Sequence, residues 1–288
     1  AFPRKGELYE AMHSPPGRGF DLYIEEGIDG VVVTYQRGIA VQLYINGSSH
    51  GHRPGYHQYY RAIEAMSRAS RLERVLVIGY GTGSTVETLL KSDEVRELVL
   101  VELNRTLIRN LRKMPQFDDM LRDARVRLII DDGRRFLFRT SDKFDLIATD
   151  PLRTTTSYSN NLYSERFFQL VRDHLRPGGV YVAWQDEHKI IPKTLAWTFP
   201  YLGMHRGGVC ITPNSPLVVN QSRRQELIAR FPPNDRELIQ AGAGYLGDRT
   251  FVERLTRGYP INRDWEPWTE YYIGLKVREA LRKFSTGS

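Results

Sequence analysis

The sequence predicts an α/β fold: a mostly parallel sheet preceded by a small N-terminal β domain. Two observations lead to this. Short apolar runs alternate with helix-like segments between residues 75 and 184, and a β-rich stretch with turn residues covers residues 20–46. With 41% hydrophobic and 26% charged residues, the 288-residue chain can bury a sizeable core. We expect three parts: an N-terminal β-hairpin domain with a connecting helix at 1–70, the main α/β domain at 71–212, and a C-terminal helical extension packed on it at 213–288.

The N-terminal part carries hairpin signals. A β-rich run at Val31, Val32, Val33 and Tyr35 follows the turn signal Asp29-Gly30. A second run covers Ile39–Ile45, and Asn46-Gly47 closes it as a turn. Residues 48–55 are rich in Gly, His and Ser, which predicts a loop. Tyr59–Ala69 then predicts a helix, because its apolar residues recur at helical spacing.

The main domain alternates strands and helices. Its apolar runs are continuous, as in parallel strands covered on both faces. The predicted strands are Val75–Ile78, Leu98–Val101, Val126–Ile130, Leu146–Thr149 and Val180–Trp184. The predicted helices are Thr85–Lys91, Thr106–Lys113, Arg134–Phe138 and Glu165–Leu175, followed in the C-terminal part by Glu226–Arg230 and Tyr271–Lys283.

Composition excludes several classes of protein. A single cysteine, Cys210, rules out an internal disulfide framework and CxxC sites. The absence of an 18-residue apolar run argues against a membrane span within this sequence, and no signal-peptide pattern is present, so we expect a cytoplasmic protein. The net charge, 41 basic minus 34 acidic residues or +7, fits anionic partners or simply a solvated surface. We expect no nucleic-acid partner.

A glycine-rich turn follows the first strand of the main domain. Gly79, Tyr80, Gly81, Thr82 and Gly83 connect it to a predicted helix. The glycines permit positive φ and close approach of a ligand, and the helix start supplies free N–H groups. The spacing is GxGxG, whereas a dinucleotide fingerprint has GxGxxG. A nucleoside without a pyrophosphate, such as S-adenosylmethionine or a relative, fits this pattern better.

Acidic residues end the next two strands. Glu102 could accept hydrogen bonds from both ribose hydroxyls, or could be a solvated strand-end side chain. Asp131-Asp132-Gly133 could accept from an adenine amino group, or could form a turn and helix cap. Open α/β sheets bind ligands at such strand ends, so the three motifs together predict a nucleoside-binding, Rossmann-like domain.

The ordered motifs resemble those of the spermidine/spermine synthase family of aminopropyltransferases, and most closely its divergent spermidine-synthase-like members, which are sometimes fused to membrane segments. The resemblance covers residues 20–210 and a tail motif at Asn262–Tyr271. It implies an N-terminal β domain, a catalytic domain with a Rossmann-like, class I methyltransferase-type fold, and often a homodimer. We expect a small amine or other nucleophile as acceptor, and no metal. A longer, membrane-adjacent parent chain stays an open alternative. The motifs that carry it are Val75–Thr85, Val101-Glu102, Ile130–Gly133, Phe144–Asp150, Asn161–Ser164 and Leu175–Gly179.

The resemblance also implies roles by position. Glu102 would bind ribose, Asp132 with Gly133 would bind adenine, and Asp150 would be the catalytic base. The long polar run at residues 154–161 would form a substrate-gating loop or a plain surface loop. The further positions placed at the nucleoside are His50, His57 and Asp131, and those placed at the substrate are Tyr56, Gln58, Tyr158 and Gln185. His50, His52 and His57 have no nearby acid or cysteine, which argues against a metal site.

Two departures from the family pattern bear on the substrates. Thr82 stands where the family has the Asp that holds the amine of decarboxylated S-adenosylmethionine, so the intact donor becomes plausible. The second acid of the catalytic motif is absent, and Arg153 lies nearby, which argues against putrescine as acceptor. We expect transfer of an aminopropyl-type group from either donor form, with methylthioadenosine as by-product. The alternatives are an S-adenosylmethionine-dependent methyltransferase and an inactive nucleoside-binding domain of a membrane protein.

Overall fold

The computed structural model describes residues 5–13, 19–150, 159–184, 189–206, 209–216, 218–242 and 244–270. They form two sheets and flanking helices. The strands are β1 (Asp21–Gly27), β2 (Gly30–Arg37), β3 (Ala40–Ile45), β4 (Ser48–Arg53), β5 (Arg74–Ile78), β6 (Glu97–Glu102), β7 (Val126–Ile130), β8 (Phe144–Thr149), β9 (Leu175–Trp184), β10 (Gly203–His205), β11 (Val209–Pro213) and β12 (Tyr245–Asp248). The helices are α1 (Lys5–Met12), α2 (Tyr56–Met66), α3 (Ser84–Leu90), α4 (Arg105–Leu111), α5 (Pro115–Arg122), α6 (Gly133–Arg139), α7 (Glu165–Asp173), α8 (Ile190–Thr198), α9 (Gln221–Ala229), α10 (Pro233–Gly242) and α11 (Arg249–Leu255), with a 3-10 turn at Ser159–Leu162.

The N-terminal sheet is an antiparallel meander in the order β1-β2-β3-β4. The expectation of a loop at residues 48–55 is wrong, because 48–53 form β4. Asn46 and Gly47 both adopt positive φ (49° and 81°), as a tight two-residue hairpin turn requires. That turn returns the chain alongside β3, where backbone hydrogen bonds form a strand in spite of the low β propensity of Gly, His and Ser.

The main sheet has the order β12-β10-β11-β9-β8-β5-β6-β7. Five adjacent strands pair in parallel, in the spatial order β9-β8-β5-β6-β7. Beyond β9, the strands β11 and β10 join the sheet in antiparallel orientation. The predicted mostly parallel sheet and its five strands are therefore confirmed. The strand order reverses at β5, from which the chain steps to β6 and β7 on one side and to β8 and β9 on the other. This is the point at which open α/β sheets bind ligands.

The core covers both faces of this sheet. Along β5, Val75 and Val77 are buried in one apolar cluster with residues of α2, whereas Leu76 and Ile78 are buried in a second cluster with residues of α7. Successive side chains of a strand point to opposite faces, so a strand buried on both sides must be apolar throughout. The same physics made these strands recognisable in the sequence.

Elsewhere the element boundaries differ from expectation. Leu175 begins β9 and does not end α7, because it pairs with Phe144 before a register irregularity, and Gly178 in that strand has φ 73°. The helices α1, α5 and α8 were not predicted. In the C-terminal part, α9 contains most of the predicted helix at 226–230. The strand β12 of this part joins the main sheet, and the predicted domain boundary at residue 212 stays a prediction. The predicted helix at 271–283 lies outside the described residues.

The C-terminal helices α9 and α10 pack on α2, which itself lies against β9 and α3. The helix α2 is thus enclosed, and its residues from Tyr59 to Met66 are all buried. Among the helices of the described ranges, none has the length and apolar character that a membrane crossing would need.

Candidate functional site

The glycine-rich turn lies between β5 and α3 and is shaped by three residues with positive φ. These are Gly79 (89°), Gly81 (53°) and Gly83 (73°), and Gly83 is the N-cap residue of α3. A Cβ atom on Gly83 would lie 3.1 Å from the Tyr80 ring and 3.2 Å from Cε of Met120. Both the backbone conformation and the space therefore favour glycine here. The turn exposes backbone at the carboxyl end of the strand, as the sequence predicts.

Glu102 ends the neighbouring strand β6 and holds the turn. Its Oε2 accepts a hydrogen bond from the backbone N–H of Tyr80, and its Oε1 accepts one from Asn104, both at 2.7 Å. The residue is buried, so the alternative of a solvated strand-end side chain is wrong. Burial raises the pKa of Glu102, with a smaller contribution in the same direction from Asp150, while the backbone hydrogen bonds lower it. Each carboxylate oxygen keeps a second lone pair for a ligand hydroxyl.

Tyr80 and Thr82, two predicted cofactor-binding residues, are buried within the turn. The Tyr80 ring packs edge-to-face on Phe117, with 6.3 Å between the ring centroids, and burial raises the pKa of its hydroxyl. Its side chain therefore belongs to the core, and its N–H is the group that serves the site. The Oγ1 atom of Thr82 lies 3.4 Å from Oγ of Ser84, within the same turn.

The acidic pair after β7 begins α6. Asp132 is its N-cap residue, and its Oδ1 accepts from the backbone N–H of Arg135 at 2.8 Å, so the predicted helix-capping role is confirmed. Asp131 is ion-paired with Arg135. The pKa of Asp131 is lowered, because this ion pair and a backbone hydrogen bond together outweigh the opposing effect of burial. A Cβ on Gly133 would lie 2.2 Å from Cγ2 of Ile78, so only glycine lets α6 begin this close to β5.

Asp150 directly follows β8 and faces the glycine-rich turn. Its backbone N–H donates to the carbonyl of Ile78 at 2.9 Å, which fixes it beside β5. Its Oδ2 lies 3.7 Å from where a Cβ of Gly81 would stand and 3.5 Å from Oγ1 of Thr85. The side chain is partly exposed, at 15% of its surface. Geometry thus places the predicted base at the same sheet edge as the turn.

Arg61 is the residue of this site that sequence reasoning missed. It reaches from α2 to Asp150, with 3.0 Å between Nη2 and Oδ2, and the same nitrogen donates to Oγ1 of Thr85 at 2.9 Å. Its side chain is 1% exposed. The guanidinium atoms Nε and Nη1 are buried with no hydrogen-bond partner in the described part of the chain. The available signal was a charged residue in the run from Tyr59 to Met66, whose residues are all buried; Glu64 gives the same signal in that run.

The three residues at the start of α2 have different surroundings. The amide Oε1 of Gln58 lies 2.6 Å from where a Cβ of Gly55 would stand, and Oγ of Ser84 lies 2.7 Å from that point, so Gln58 adjoins the start of α3. Tyr56 instead donates from its hydroxyl to Oδ1 of Asp235 on α10, at 3.2 Å. His57 is exposed on α2.

The histidines of the N-terminal part do not assemble a metal centre. His50 is half-buried in β4 and His52, in the same strand, is exposed. Among residues that the structure describes, no group of three His, Cys, Asp or Glu side chains could hold a metal ion. Tyr158, Gln185 and residues 154–158 of the expected gating segment lie outside the described residues.

The tail motif packs against the chain that follows this segment. Asn262 is fully buried; its Nδ2 donates to the carbonyl of Tyr163 at 3.0 Å, and its Oδ1 accepts from the N–H of Thr269 at 3.3 Å. Asp264 pairs through both carboxylate oxygens with the guanidinium of Arg134, 2.9 Å for one contact. The motif therefore connects α6 with the segment just before α7.

Comparison with known proteins agrees with this geometry. Residues 55–197, from the end of the N-terminal sheet to α8, match the family model described as the spermine/spermidine synthase domain. The chain contains a spermine/spermidine synthase domain. The resemblance inferred from the ordered motifs is thereby confirmed, and the matched residues include the turn, Glu102, Asp132, Asp150 and Arg61.

Curated relatives carry the name polyamine aminopropyltransferase, a transferase activity. One from Oceanobacillus iheyensis is 27% identical over 183 residues, which cover 62% of this chain and 36% of the relative. One from Thermotoga petrophila is 28% identical over 150 residues, 49% of this chain and 51% of the relative. The chain thus spans about half, or less, of the length of these relatives.

Solved structures share the fold. Spermidine synthase from Thermotoga maritima matches with TM-score 0.59 and 20% identity, covering 81% of this chain and 85% of that one. A probable spermidine synthase from Corynebacterium glutamicum matches with TM-score 0.62 and 19% identity, covering 86% and 97%. The spermine/spermidine synthase domain of this chain therefore has the class I methyltransferase-like fold that the sequence predicts.

Proposed function

We propose that this domain binds an adenosyl sulfonium, S-adenosylmethionine or its decarboxylated form, across the carboxyl ends of β5 to β8. It transfers an aminopropyl-type group to a small amine and releases methylthioadenosine. The observation that carries this proposal is the hydrogen bond from Tyr80 N–H to the buried carboxylate of Glu102. That bond joins the glycine-rich turn to a ribose acceptor at a single sheet edge.

Each part of the donor has a proposed partner in this arrangement. The ribose hydroxyls donate to the second lone pairs of Glu102, and the adenine meets Asp132 and Gly133 at the start of α6. Asp131, His50 and His57 are proposed at the margin of the nucleoside. The acceptor would meet Tyr56, Gln58, Tyr158 and Gln185.

The chemistry asks mainly for positioning, because the sulfonium leaves as a neutral thioether. The amine nitrogen forms a bond to carbon, the carbon–sulfur bond breaks, and its electron pair stays on sulfur. An alkyl amine with a pKa near 10 arrives protonated and must lose a proton before attack. Asp150 is the proposed acceptor of that proton, since its carboxylate lies beside Gly81 at the turn.

A second candidate function is methyl transfer from S-adenosylmethionine. The observation that favours it is the ion pair of Asp150 with Arg61, which compensates the carboxylate that is proposed as the base for aminopropyl-type transfer. The two functions use one site and differ in which carbon of the sulfonium is attacked.

Product identification separates the two functions. The protein is incubated with each donor form and a mixture of small amines, and nucleoside products are analysed by mass spectrometry. Methylthioadenosine that disappears in Asp150→Asn but persists in Asp142→Asn supports aminopropyl-type transfer, because Asp142 pairs with Arg74 at the opposite edge of the sheet. Adenosylhomocysteine alone would establish methyl transfer. The absence of both products, with donor bound, would indicate an inactive binding domain.

We also propose, from the family resemblance, that the protein is a homodimer. Light scattering at several protein concentrations measures the mass in solution. A mass that stays at 33.3 kDa throughout would contradict this.

A further inference from the structure

The carboxylates beside the glycine-rich turn are already paired with other groups of the protein. Within the described ranges, the carboxylates next to the glycine-rich turn belong to Glu87, Glu102 and Asp150. Each of them already has partners, and two of the three are paired with an arginine that is mostly buried.

The first compensated carboxylate is that of Asp150. Arg61 approaches it through Nη2 alone, at 3.0 Å, so the guanidinium is bound at one nitrogen and not through a two-pronged contact. The remaining nitrogens, Nε and Nη1, are buried without a hydrogen-bond partner in the described part of the chain. A buried guanidinium with unsatisfied donors creates a positive potential that a nearby anion would relieve.

The second compensated carboxylate is that of Glu87, in the first turn of α3. Its Oε2 lies 3.1 Å from Nη2 of Arg53 and accepts a hydrogen bond of 2.8 Å from the hydroxyl of Tyr59. Arg53 adjoins the turn through Met120, whose Cε is 3.2 Å from where a Cβ of Gly83 would stand. Neither Glu87 nor Asp150 therefore offers an uncompensated negative charge at the turn.

The remaining carboxylate, Glu102, is occupied by two backbone N–H groups and is proposed to bind ribose. The turn itself contributes Thr82, which is neutral and buried. Decarboxylated S-adenosylmethionine carries two positive charges, on the sulfonium and the amine, with no negative charge to balance them. The intact donor adds a carboxylate and has one net positive charge.

We propose that Arg61 makes this site selective for intact S-adenosylmethionine over the decarboxylated donor. The inference rests on the proposed function and names the form of its donor. Arg61 acts as a specificity-determining residue: it cancels the charge of Asp150, which would otherwise repel the donor carboxylate and favour the donor of higher net positive charge, and it attracts that carboxylate electrostatically.

The transferred group changes with the donor. If the amine attacks the propyl carbon of intact S-adenosylmethionine, a nitrogen–carbon bond forms and the carbon–sulfur bond breaks. The electron pair stays on sulfur, and the amine proton leaves to Asp150 or water. The acceptor then gains a 3-amino-3-carboxypropyl group, and methylthioadenosine is still the by-product.

Titration calorimetry with both donor forms tests the selectivity, and the ratio of their two Kd values is the readout. We expect the unaltered protein to bind the intact donor at least tenfold more tightly. Arg61→Met should shift the ratio at least tenfold toward the decarboxylated donor, since it uncovers the charge of Asp150. Asp150→Asn should shift it the other way, since it uncovers the charge of Arg61.

The control is Arg74→Met, which breaks an ion pair with Asp142 at the far end of β5 and should leave the ratio unchanged. Thermal unfolding verifies that each variant is folded. If Arg61→Met does not fold, the partly exposed Asp150→Asn decides by itself. Tighter binding of the decarboxylated donor, or a ratio that both variants leave unchanged, would overturn the selectivity while the proposed site stands. Failure to bind either donor would overturn the proposed function as well.

Discussion

Replacing Glu102 by Gln separates the binding role of this residue from its structural role. The carboxylate accepts one backbone N–H on each oxygen, from Tyr80 and from Asn104, both at 2.7 Å. Glutamine has nearly the same shape but only one acceptor oxygen, so one of these N–H groups must face the amide NH2. The substitution therefore removes one hydrogen bond and the charge, with little change in volume.

Two opposing terms decide the effect on folding. Loss of one hydrogen bond to a charged acceptor costs about 1.5–3 kcal/mol. Burial raises the pKa of Glu102, so its charge is itself unfavourable near neutral pH, and Gln removes that cost. We expect the free energy of unfolding to fall by no more than about 2 kcal/mol, because the two terms partly cancel.

Donor binding should suffer much more. The ribose hydroxyls lose a charged acceptor worth about 1.5–3 kcal/mol, which corresponds to a Kd about 10 to 150 times higher. Calorimetric titration with S-adenosylmethionine measures this change, and thermal unfolding measures stability. The control is Glu97→Gln, at the opposite end of the same strand, which should not alter the Kd. An unchanged Kd in folded Glu102→Gln would refute the assignment of the ribose site.

Three further predictions follow from the same contacts. Tyr80→Phe should leave the donor Kd unchanged and the melting temperature equal or higher, because the buried hydroxyl has no partner among the described residues; calorimetry and thermal unfolding measure both, and a clear loss of affinity would contradict this. Asn262→Ala should lower the free energy of unfolding by about 2–4 kcal/mol, measured in urea, because it removes two buried hydrogen bonds, to the carbonyl of Tyr163 and from the N–H of Thr269; a loss under 1 kcal/mol would be inconsistent with this. The pKa of Glu102 is raised above its usual 4.5 in the folded protein, so between these two pKa values the unfolded chain binds fewer protons than the folded one, and the unaltered protein loses stability as the pH rises. The stability of Glu102→Gln relative to the unaltered protein should therefore rise with pH above 4.5. A difference in urea unfolding that stays constant with pH would argue against the raised pKa.

The sequence was sufficient for the parallel sheet because its strands are buried on both faces. A strand such as β5 must be apolar at every position, and that pattern is visible without any tertiary information. The positions of Gly79–Gly83, Glu102 and Asp150 follow from the same fact, since each directly ends a recognisable strand. Strand ends at one edge of a parallel sheet meet in space whatever the intervening loops do.

The strand β4 shows where this reasoning fails. Its residues have low β propensity, and its position is set by the turn at Asn46-Gly47 and by pairing with β3. Edge strands rely on backbone hydrogen bonds to one neighbour, so their side chains need not alternate or be apolar. For the same reason His50 and His52 are predicted to lie in a loop, although they lie on a strand.

Charge pairing at the site was equally invisible in the sequence, and it changes the chemical argument. Thr82 alone indicates only that an acid is missing from the turn. The structure shows in addition that the remaining acid, Asp150, is already paired with Arg61. The two residues lie 89 positions apart in the sequence, and no local pattern reveals how the helix that carries Arg61 packs. A base that must accept a proton from an ammonium works best when no cation holds it. We therefore expect Asp150 to be a stronger base when the carboxylate of a bound intact donor pairs with Arg61, so that the choice of donor and the proton transfer depend on the same guanidinium.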